Sequence, residues 1–242
     1  MLNEKKLLSL KTSSPDDSKL VNVNESEVCC TNDWEAAYLR FETPEQETRK
    51  FVTRLKSLGA DHWPRDAKII ELFCGRGNGL RALHQMGFTK IEGADLSASL
   101  LSQYDGPGKC YVADCRRLPF GSGSKDIVVI QGGLHHLPKL PGDLEQTLFE
   151  VARVLAPGGR FIAVEPWLTP FLRIVHGMCG VTSLRRIAPK VDALAVMIEN
   201  ERETYEQWLG APDMILSLFN REFRTVICRT RLGKLMYEGR RS

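Results

Sequence analysis

The sequence of 242 residues lacks the features by which several classes of protein are recognised. None of its seven cysteines forms a C-x-x-C pair, and an odd number does not suit a disulfide framework, so we expect no metal site. No run approaches the roughly 20 apolar residues of a membrane span, and the N-terminus has no apolar core of signal-peptide length. The sequence therefore favours a cytoplasmic protein with reduced thiols.

The sequence has little net charge, because Lys and Arg exceed Asp and Glu by only three. This excess does not by itself indicate a nucleic-acid partner. The excess is concentrated in residues 221–242, which contain seven Lys or Arg and two Glu. Such a patch could contact RNA, an acidic substrate or a lipid surface. The simpler interpretation is an edge strand whose cations prevent pairing with other chains.

Internal repeats and low-complexity segments are absent, and the length suits one domain with additions. Residues 1–32 are polar and rich in Ser, Asn, Asp and Lys, which predicts a mobile tail before a single domain over residues 33–242. Residues 33–64 are expected to form a helical cover. Within them, Thr43 and Gln46 have the spacing of a capping box ahead of an apolar stripe.

From Ala67 the pattern alternates between short apolar runs and amphipathic helices. Asp143 is predicted to cap the helix before the fifth run. A helical insertion, residues 167–210, follows and is predicted to form a lid over the substrate, and two last strands turn near Gly233. Strands that alternate with helices indicate an α/β fold with a doubly wound, mostly parallel sheet, here of seven strands. The first five strands are AKIIELF, KIEGADL, KCYVADC, KDIVVIQ and RFIAVEP.

The first chemical signal is the segment IIELFCGRGNG, residues 69–79, which follows a strand and opens a helix. Its glycines permit a tight turn and close approach of a ligand, and the helix N-terminus offers free N–H groups. Three glycines alone fit any nucleotide. The spacing G-x-G-x-G differs from the dinucleotide fingerprint G-x-G-x-x-G, which disfavours an NAD-linked oxidoreductase, and no Gly-Lys-Ser/Thr follows as in a P-loop.

Polar residues also follow the next three strands. Asp95 can accept hydrogen bonds from ribose hydroxyls, and Asp114, beside Cys115, can accept one from an adenine amine. Either aspartate could instead serve only a local turn or a helix cap. The fourth strand runs into QGGLHH, residues 131–136. Because ligands of such sheets bind at the carboxyl ends of the strands, these segments should meet in one crevice.

The sequence resembles the class I methyltransferases, and among them the type 11 group. The resemblance rests on segments that occur in this order: the glycine segment, ADLS, AD with LPF, GLHHL and RVLAPGG. The resemblance covers residues 66–166. It implies a Rossmann-like methyltransferase fold and S-adenosylmethionine as cofactor, with the glycine loop at the methionine part, Asp95 at the ribose and Asp114 at the adenine. Arg76 departs from the small or uncharged residue of many relatives. The residues expected at the cofactor are Glu71, Phe73, Gly75, Arg76, Gly77, Gly79, Asp95, Leu96, Asp114, Cys115, Gln131 and Gly132.

Methyl transfer from a sulfonium is an in-line displacement whose leaving group departs neutral. A base is therefore needed only where the nucleophile must lose a proton. His135 and His136 are the candidate bases, because imidazole titrates near neutral pH. Alternatively, they pack the turn or contact a ligand. The predicted substrate pocket consists of Trp34, Tyr38, Glu165, Trp167 and Phe171.

Three functions stay open on the sequence. Compact size, covering segments and weak net charge favour a methyltransferase with a small-molecule acceptor. The basic C-terminal region and the resemblance also suit a tRNA- or RNA-modifying methyltransferase. The third is a non-catalytic module that binds S-adenosylmethionine. The motifs specify neither the acceptor nor the atom that receives the methyl group.

Overall fold

A computed structural model describes residues 20–22 and 32–242. The strands in these residues are β1 (Leu20–Asn22), β2 (Ile69–Leu72), β3 (Ile91–Asp95), β4 (Lys109–Val112), β5 (Lys125–Gln131), β6 (Leu155–Pro166), β7 (Phe223–Arg231) and β8 (Lys234–Arg241). The helices are α1 (Asn32–Phe41), α2 (Pro44–Ser57), α3 (Asn78–Gln85), α4 (Ala98–Leu101), α5 (Gly142–Val154), α6 (Pro170–Cys179), α7 (Thr182–Ile187), α8 (Pro189–Asn200), α9 (Arg202–Leu209) and α10 (Pro212–Glu222).

The described strands form one sheet in the order β1-β4-β3-β2-β5-β6-β8-β7. Pairings from β1 to β6 are parallel, and β8 is antiparallel to both of its neighbours, β6 and β7. The predicted α/β fold with a mostly parallel sheet is confirmed, since β2 to β8 are the seven expected strands. The carboxyl ends of β2, β3, β4 and β5 consequently lie along one edge.

Two helical layers enclose the sheet, because alternate side chains of each strand enter different cores. On β2, Ile70 and Leu72 pack with α5 and α10, whereas Ile69 packs with α2, α3 and α4. The first core includes Leu144, Leu148, Val151, Trp208, Ile215 and Phe219, and the second includes Leu55, Leu58, Leu80, Leu83, Phe88 and Leu101. These two cores hold the strand ends in register.

Two local features differ from the expectations. Leu20–Asn22, placed in a mobile tail, form the edge strand β1 because their backbone pairs with β4; the rest of residues 1–31 lies outside the described residues. Asp143 does not cap α5, which begins at Gly142. Its carboxylate instead accepts hydrogen bonds from the backbone N–H of Lys139 at 2.9 Å and from Arg116 at 3.0 Å. The capping box of Thr43 and Gln46 is present as predicted.

The segment between β6 and α10 folds as four helices, α6 to α9, so residues 167–210 are helical as expected. α1 packs against α8, and Arg40 of α1 forms an ion pair with Asp192 of α8 at 3.2 Å. The insertion starts where β6 ends, beside the carboxyl ends of the parallel strands. Within the described part of the chain, no helix is long and apolar enough to cross a membrane.

Candidate active site

The loop between β2 and α3 has the backbone geometry that its glycines allow. The φ angle is +50° at Gly75 and +74° at Gly77, in a region that L-residues with a side chain rarely adopt. The N–H of Gly77 donates to the carbonyl of Cys74 at 2.8 Å, which closes a tight turn directly before α3. Phe73 also has a positive φ, +56°, and its ring occupies the space where Gly133 would carry a Cβ. Phe73 therefore joins the glycine loop to the turn after β5.

Glu71 lies fully buried beneath the same loop. A Cβ on Gly79 would overlap the carboxyl group of Glu71, so only glycine fits at the start of α3. Burial, followed by the nearby carboxylate of Glu47, raises the pKa of Glu71 well above its ordinary value and favours the protonated form. Its Oε2 has no hydrogen-bond partner among the described residues.

Asp95, the last residue of β3, is bonded to the glycine loop. Its Oδ2 accepts from the N–H of Gly75 at 2.8 Å, and its Oδ1 accepts from the N–H of Ser97 at 2.8 Å. Burial raises the pKa of Asp95 above its ordinary value. The backbone N–H groups of Ser97, Gly75 and the half-buried Leu96 lower the pKa, but by less. A carboxylate offers about four acceptor positions. Asp95 thus fixes the loop and retains capacity for further donors.

Asp114 is engaged by a neighbour that the sequence reasoning did not consider. Its two oxygens accept from the guanidinium of Arg116 at 2.7 and 3.0 Å, and Arg116 also reaches Asp143. Burial alone would raise the pKa of Asp114, but the hydrogen bonds from Arg116 outweigh it and lower the pKa. The adjacent Cys115 is buried against Thr147, and burial raises the pKa of its thiol to about 12. Cys115 therefore contributes an inert thiol.

Gln131 ends β5 with a buried side-chain amide. Neither its Oε1 nor its Nε2 has a hydrogen-bond partner within residues 32–242. Strand alternation places Gln131 on the sheet face of Ile127 and Val129, which is the face that α3 covers. Gly132 follows with a φ of +74°, and its N–H donates to the carbonyl of Val164 at 2.8 Å. This hydrogen bond fixes the turn after β5 to β6, next to the buried amide of Gln131.

His135 is positioned by Glu165. The carboxylate Oε2 of Glu165 lies 2.9 Å from Nδ1 of His135, and its Oε1 accepts from the N–H groups of Gly133 at 2.9 Å and Leu134 at 3.0 Å. Glu165 is fully buried, and its carboxylate supports the turn. Its expected place in the substrate pocket stays a prediction. Because the carboxylate accepts at Nδ1, the lone pair of His135 lies on Nε2.

His136 and Glu201 adjoin this pair. The carboxylate of Glu201 lies 3.8 Å from Nε2 of His135 and 3.4 Å from Nδ1 of His136. Desolvation and the adjacent His135 lower the pKa of His136, and burial raises the pKa of Glu201 to about 7. His135, His136 and Glu201 each offer a donor atom within 4.8 Å of the others, a set that could hold a divalent metal. The expected absence of a metal stays a prediction.

Helix α1 also contacts the histidines. Trp34 stacks on Tyr38 at 5.0 Å between ring centroids and meets the edge of His136 at 6.2 Å. The guanidinium of Arg76, which also donates to Gln103 at 2.9 Å, lies 5.9 Å from the Tyr38 ring. Trp34 and Tyr38 are thus brought beside the glycine loop and the histidines.

The two remaining residues of the predicted pocket belong to the insertion, and their place in a pocket stays a prediction. Trp167 packs edge-on against Trp208 at 6.4 Å, and Phe171 is exposed on α6. Tyr205, Glu201, Tyr104 and Arg116 were not predicted as site residues. Tyr205 lies 5.8 Å from the His135 ring, and Tyr104 fills the space next to Gly77. Tyr205 lies 70 residues from His135 in the sequence, so its place in the site comes from tertiary packing.

Comparisons with known proteins agree with this geometry. Residues 70–163 match the model of a type 11 family described as a methyltransferase domain. The demethylmenaquinone methyltransferase of Beutenbergia cavernae is 30% identical over 169 residues, which are 66% of this chain and 65% of that protein. The chain therefore spans slightly less than two thirds of the length of this relative.

Two solved structures share the fold. The PH0226 protein of Pyrococcus horikoshii has a TM-score of 0.65 and 20% identity, and the alignment covers 88% of this chain and all of that one. A SAM-dependent methyltransferase of Methanosarcina mazei has a TM-score of 0.54 and 16% identity, with 76% and 96% of the two chains covered. The strand order and the glycine loop agree with these similarities: the chain shares the fold of these structures, and residues 70–163 match the methyltransferase-domain family.

Proposed function

We propose that this protein transfers the methyl group of S-adenosylmethionine to a small-molecule acceptor. One observation carries the proposal: the glycine loop held by Asp95 and the His135–Glu165 pair adjoin each other at one sheet edge. Phe73 of the loop packs against Gly133 of the histidine turn, so the two are in direct contact. A donor site and a proton acceptor are therefore adjacent.

The polar groups at this edge fit the proposed cofactor. Asp95 retains acceptor capacity for ribose hydroxyls, and the buried amide of Gln131 has no partner among the described residues. A buried amide without a partner costs about 1–3 kcal/mol, which a ligand would relieve. The carboxylate of Asp114, which already accepts from Arg116, would also accept from an adenine amine. Glu71 and Gly79 would shape the loop without contacting the reacting centre.

The bound cofactor would supply an electrophilic methyl group whose sulfur departs neutral. His135 then needs only to take a proton from the acceptor, and Glu165 keeps its Nε2 available for that proton. Trp34 and Tyr205 contact the histidines, Tyr38 stacks on Trp34, and together these rings would exclude water. We accordingly propose that α1 and α2 form a cover and that the insertion, residues 167–210, forms a lid.

Two observations support a small molecule as acceptor. The relative from Beutenbergia cavernae is named for demethylmenaquinone, a quinone. In addition, several cations of residues 221–242 are committed to backbone carbonyls, since Arg229 donates to Ser57, Arg240 to Gly158 and Arg241 to Leu155. Fewer are left for the phosphates of an RNA. The five cysteines in the described part are free thiols, which supports a cytoplasmic location.

Calorimetry with S-adenosylmethionine, S-adenosylhomocysteine and NAD tests the cofactor; we expect the first two to bind and NAD not to bind. Isotope-labelled S-adenosylmethionine is then incubated with a demethylmenaquinone analogue of short side chain or with total tRNA. Label in the quinone supports the proposal. Label in tRNA alone would favour the RNA-modifying alternative. If the cofactor binds but no labelled methyl group is transferred to the quinone, to tRNA or to any component of a cell extract, the non-catalytic module would be favoured.

A further inference from the structure

Exposed apolar side chains gather on one part of the insertion. Of the ten large apolar side chains that are exposed in the described residues, six lie between residues 168 and 187: Leu168, Phe171, Ile174, Met178, Val181 and Ile187. A seventh, Leu232, precedes Gly233, which lies against Leu172 of α6. On α6, Phe171, Ile174 and Met178 are three and four residues apart and therefore share one helix face. Exposed apolar side chains that cluster mark an interaction site, whereas scattered ones need no explanation.

Helix α6 is apolar on two faces but covered on one. Its inner face packs through His176, which bonds the hydroxyl of Tyr205 at 3.1 Å, and through Cys179, which is buried. Its outer face carries Phe171, Ile174 and Met178, exposed by 48%, 66% and 39%. The apolar face of an amphipathic helix normally packs against the core of the protein. The outer face of α6 therefore lacks a covering layer.

The charge of this region has one sign. Residues 168–190 contain Arg173, Arg185, Arg186 and Lys190 but no Asp or Glu. Arg185 is paired with Asp192 and Glu199. Arg173, Arg186 and Lys190 are exposed and form no ion pair with any residue in the described ranges. The apolar patch is thus flanked by three cations with uncompensated charge.

We propose that this apolar–basic face, consisting of the six apolar residues 168–187 with Arg173, Arg186 and Lys190, docks on an anionic lipid bilayer. Apolar side chains enter the boundary between headgroups and acyl chains, and cations bind lipid phosphates. A second copy of the chain suits the face poorly, because a symmetric contact would set its cations against the same cations.

The docked face would lie close to the candidate active site. The inner side of α6 contacts Tyr205, and the ring of Tyr205 lies 5.8 Å from that of His135. Helix α6, about 10 Å across, and the ring of Tyr205 would therefore lie between the bilayer and His135. The docking does not depend on the proposed function, although it would give the site access to an acceptor dissolved in the membrane.

Vesicle co-sedimentation tests the proposal with the full chain. We expect binding to vesicles of phosphatidylcholine with about a third phosphatidylglycerol, and much weaker binding to phosphatidylcholine alone. The double variant Ile174→Asp/Ile187→Asp should weaken binding about tenfold or more, since each substitution removes an exposed apolar side chain that docking would bury. Arg173→Glu/Arg186→Glu should weaken binding and reduce its dependence on salt.

The matched control is Phe149→Ser, which removes a side chain exposed by 61% on α5, away from this face. It should bind vesicles as the wild type does, and thermal unfolding should show all variants folded. Absence of binding to anionic vesicles at low salt would overturn the proposal, as would equal loss in Phe149→Ser. So would a dimer that dissociates in the isoleucine variant while vesicle binding is unchanged.

Discussion

Glu165 of β6 holds His135, on the turn after the neighbouring strand β5, through a 2.9 Å contact between Oε2 and Nδ1. The other carboxylate oxygen accepts two backbone N–H groups of the same turn. The carboxylate can therefore act only as an acceptor toward the imidazole, which leaves the Nε2 lone pair to accept a proton. A buried carboxylate that orients an imidazole is the usual arrangement of a positioned general base.

Glu165→Gln should reduce kcat by about 10²- to 10⁴-fold while S-adenosylmethionine binds with unchanged affinity. The two backbone N–H groups would retain the amide oxygen, so the amide nitrogen would donate to Nδ1 and force the proton onto Nε2. Labelled methyl transfer and calorimetry measure the two quantities. The control is Glu203→Gln at an exposed position of α9. Unchanged kcat in a folded Glu165→Gln variant would remove His135 from the role of base.

Gly79→Ala should destabilise the protein by about 1–3 kcal/mol, because its methyl group would overlap the carboxyl group of Glu71. Binding of S-adenosylmethionine should weaken as well, since the glycine loop must shift. Urea unfolding and calorimetry provide the measurements. Gly142→Ala, at the start of α5 with no atom within 4 Å of the new methyl group, is the control and should leave both unchanged. If Gly79→Ala left both the stability and the binding of S-adenosylmethionine unchanged, α3 or the side chain of Glu71 could shift at little energetic cost.

The fold could be predicted further than the site. Each strand from β2 to β6 is an apolar run followed by a turn residue, and this local signal also located Asp95 and Gln131 at strand ends. β1 was not predicted, because a strand of three residues that pairs through its backbone is too short to show a hydrophobic periodicity in the sequence. Glu201 escaped because only the packing of the insertion brings it to His135 and His136. Glu165 was located correctly at a strand end, but its contacts depend on donors in the turn after the preceding strand, β5.

The stability of the protein should fall as pH rises from about 4.5 to about 7, through Glu201. The folded protein keeps its proton up to about pH 7, whereas the unfolded chain releases it near 4.5, so the unfolded state binds fewer protons between these values. Glu201→Gln removes this penalty. It should stabilise the protein by roughly 1–3 kcal/mol at about pH 8 and have little effect near pH 4. Urea unfolding across pH checks this, and a gain that is equal at all pH values would contradict it.

Methyl transfer should survive removal of divalent metals. The sulfonium would transfer its methyl group and leave as a neutral thioether without a Lewis acid, and the proposed base requires the Nε2 of His135 uncoordinated. The measurement is the transfer rate after dialysis against a chelator, with a buffer-dialysed sample as control. If activity were lost and restored by a metal, His135, His136 and Glu201 would be its ligands. Cobalt absorption that disappears in His136→Ala but persists in the exposed His84→Ala would then assign the site.

Gln131→Leu should change stability and cofactor binding in opposite directions. Its amide is buried without a partner in the described part of the chain, so leucine should stabilise the free protein by about 1–2 kcal/mol. If that amide binds the cofactor, the dissociation constant of S-adenosylmethionine should rise about tenfold. Thermal unfolding with and without S-adenosylmethionine reveals both effects in one experiment. Gln207→Leu, exposed on α9, should produce neither. A Gln131→Leu variant that is less stable and binds the cofactor normally would show that the amide serves the fold alone.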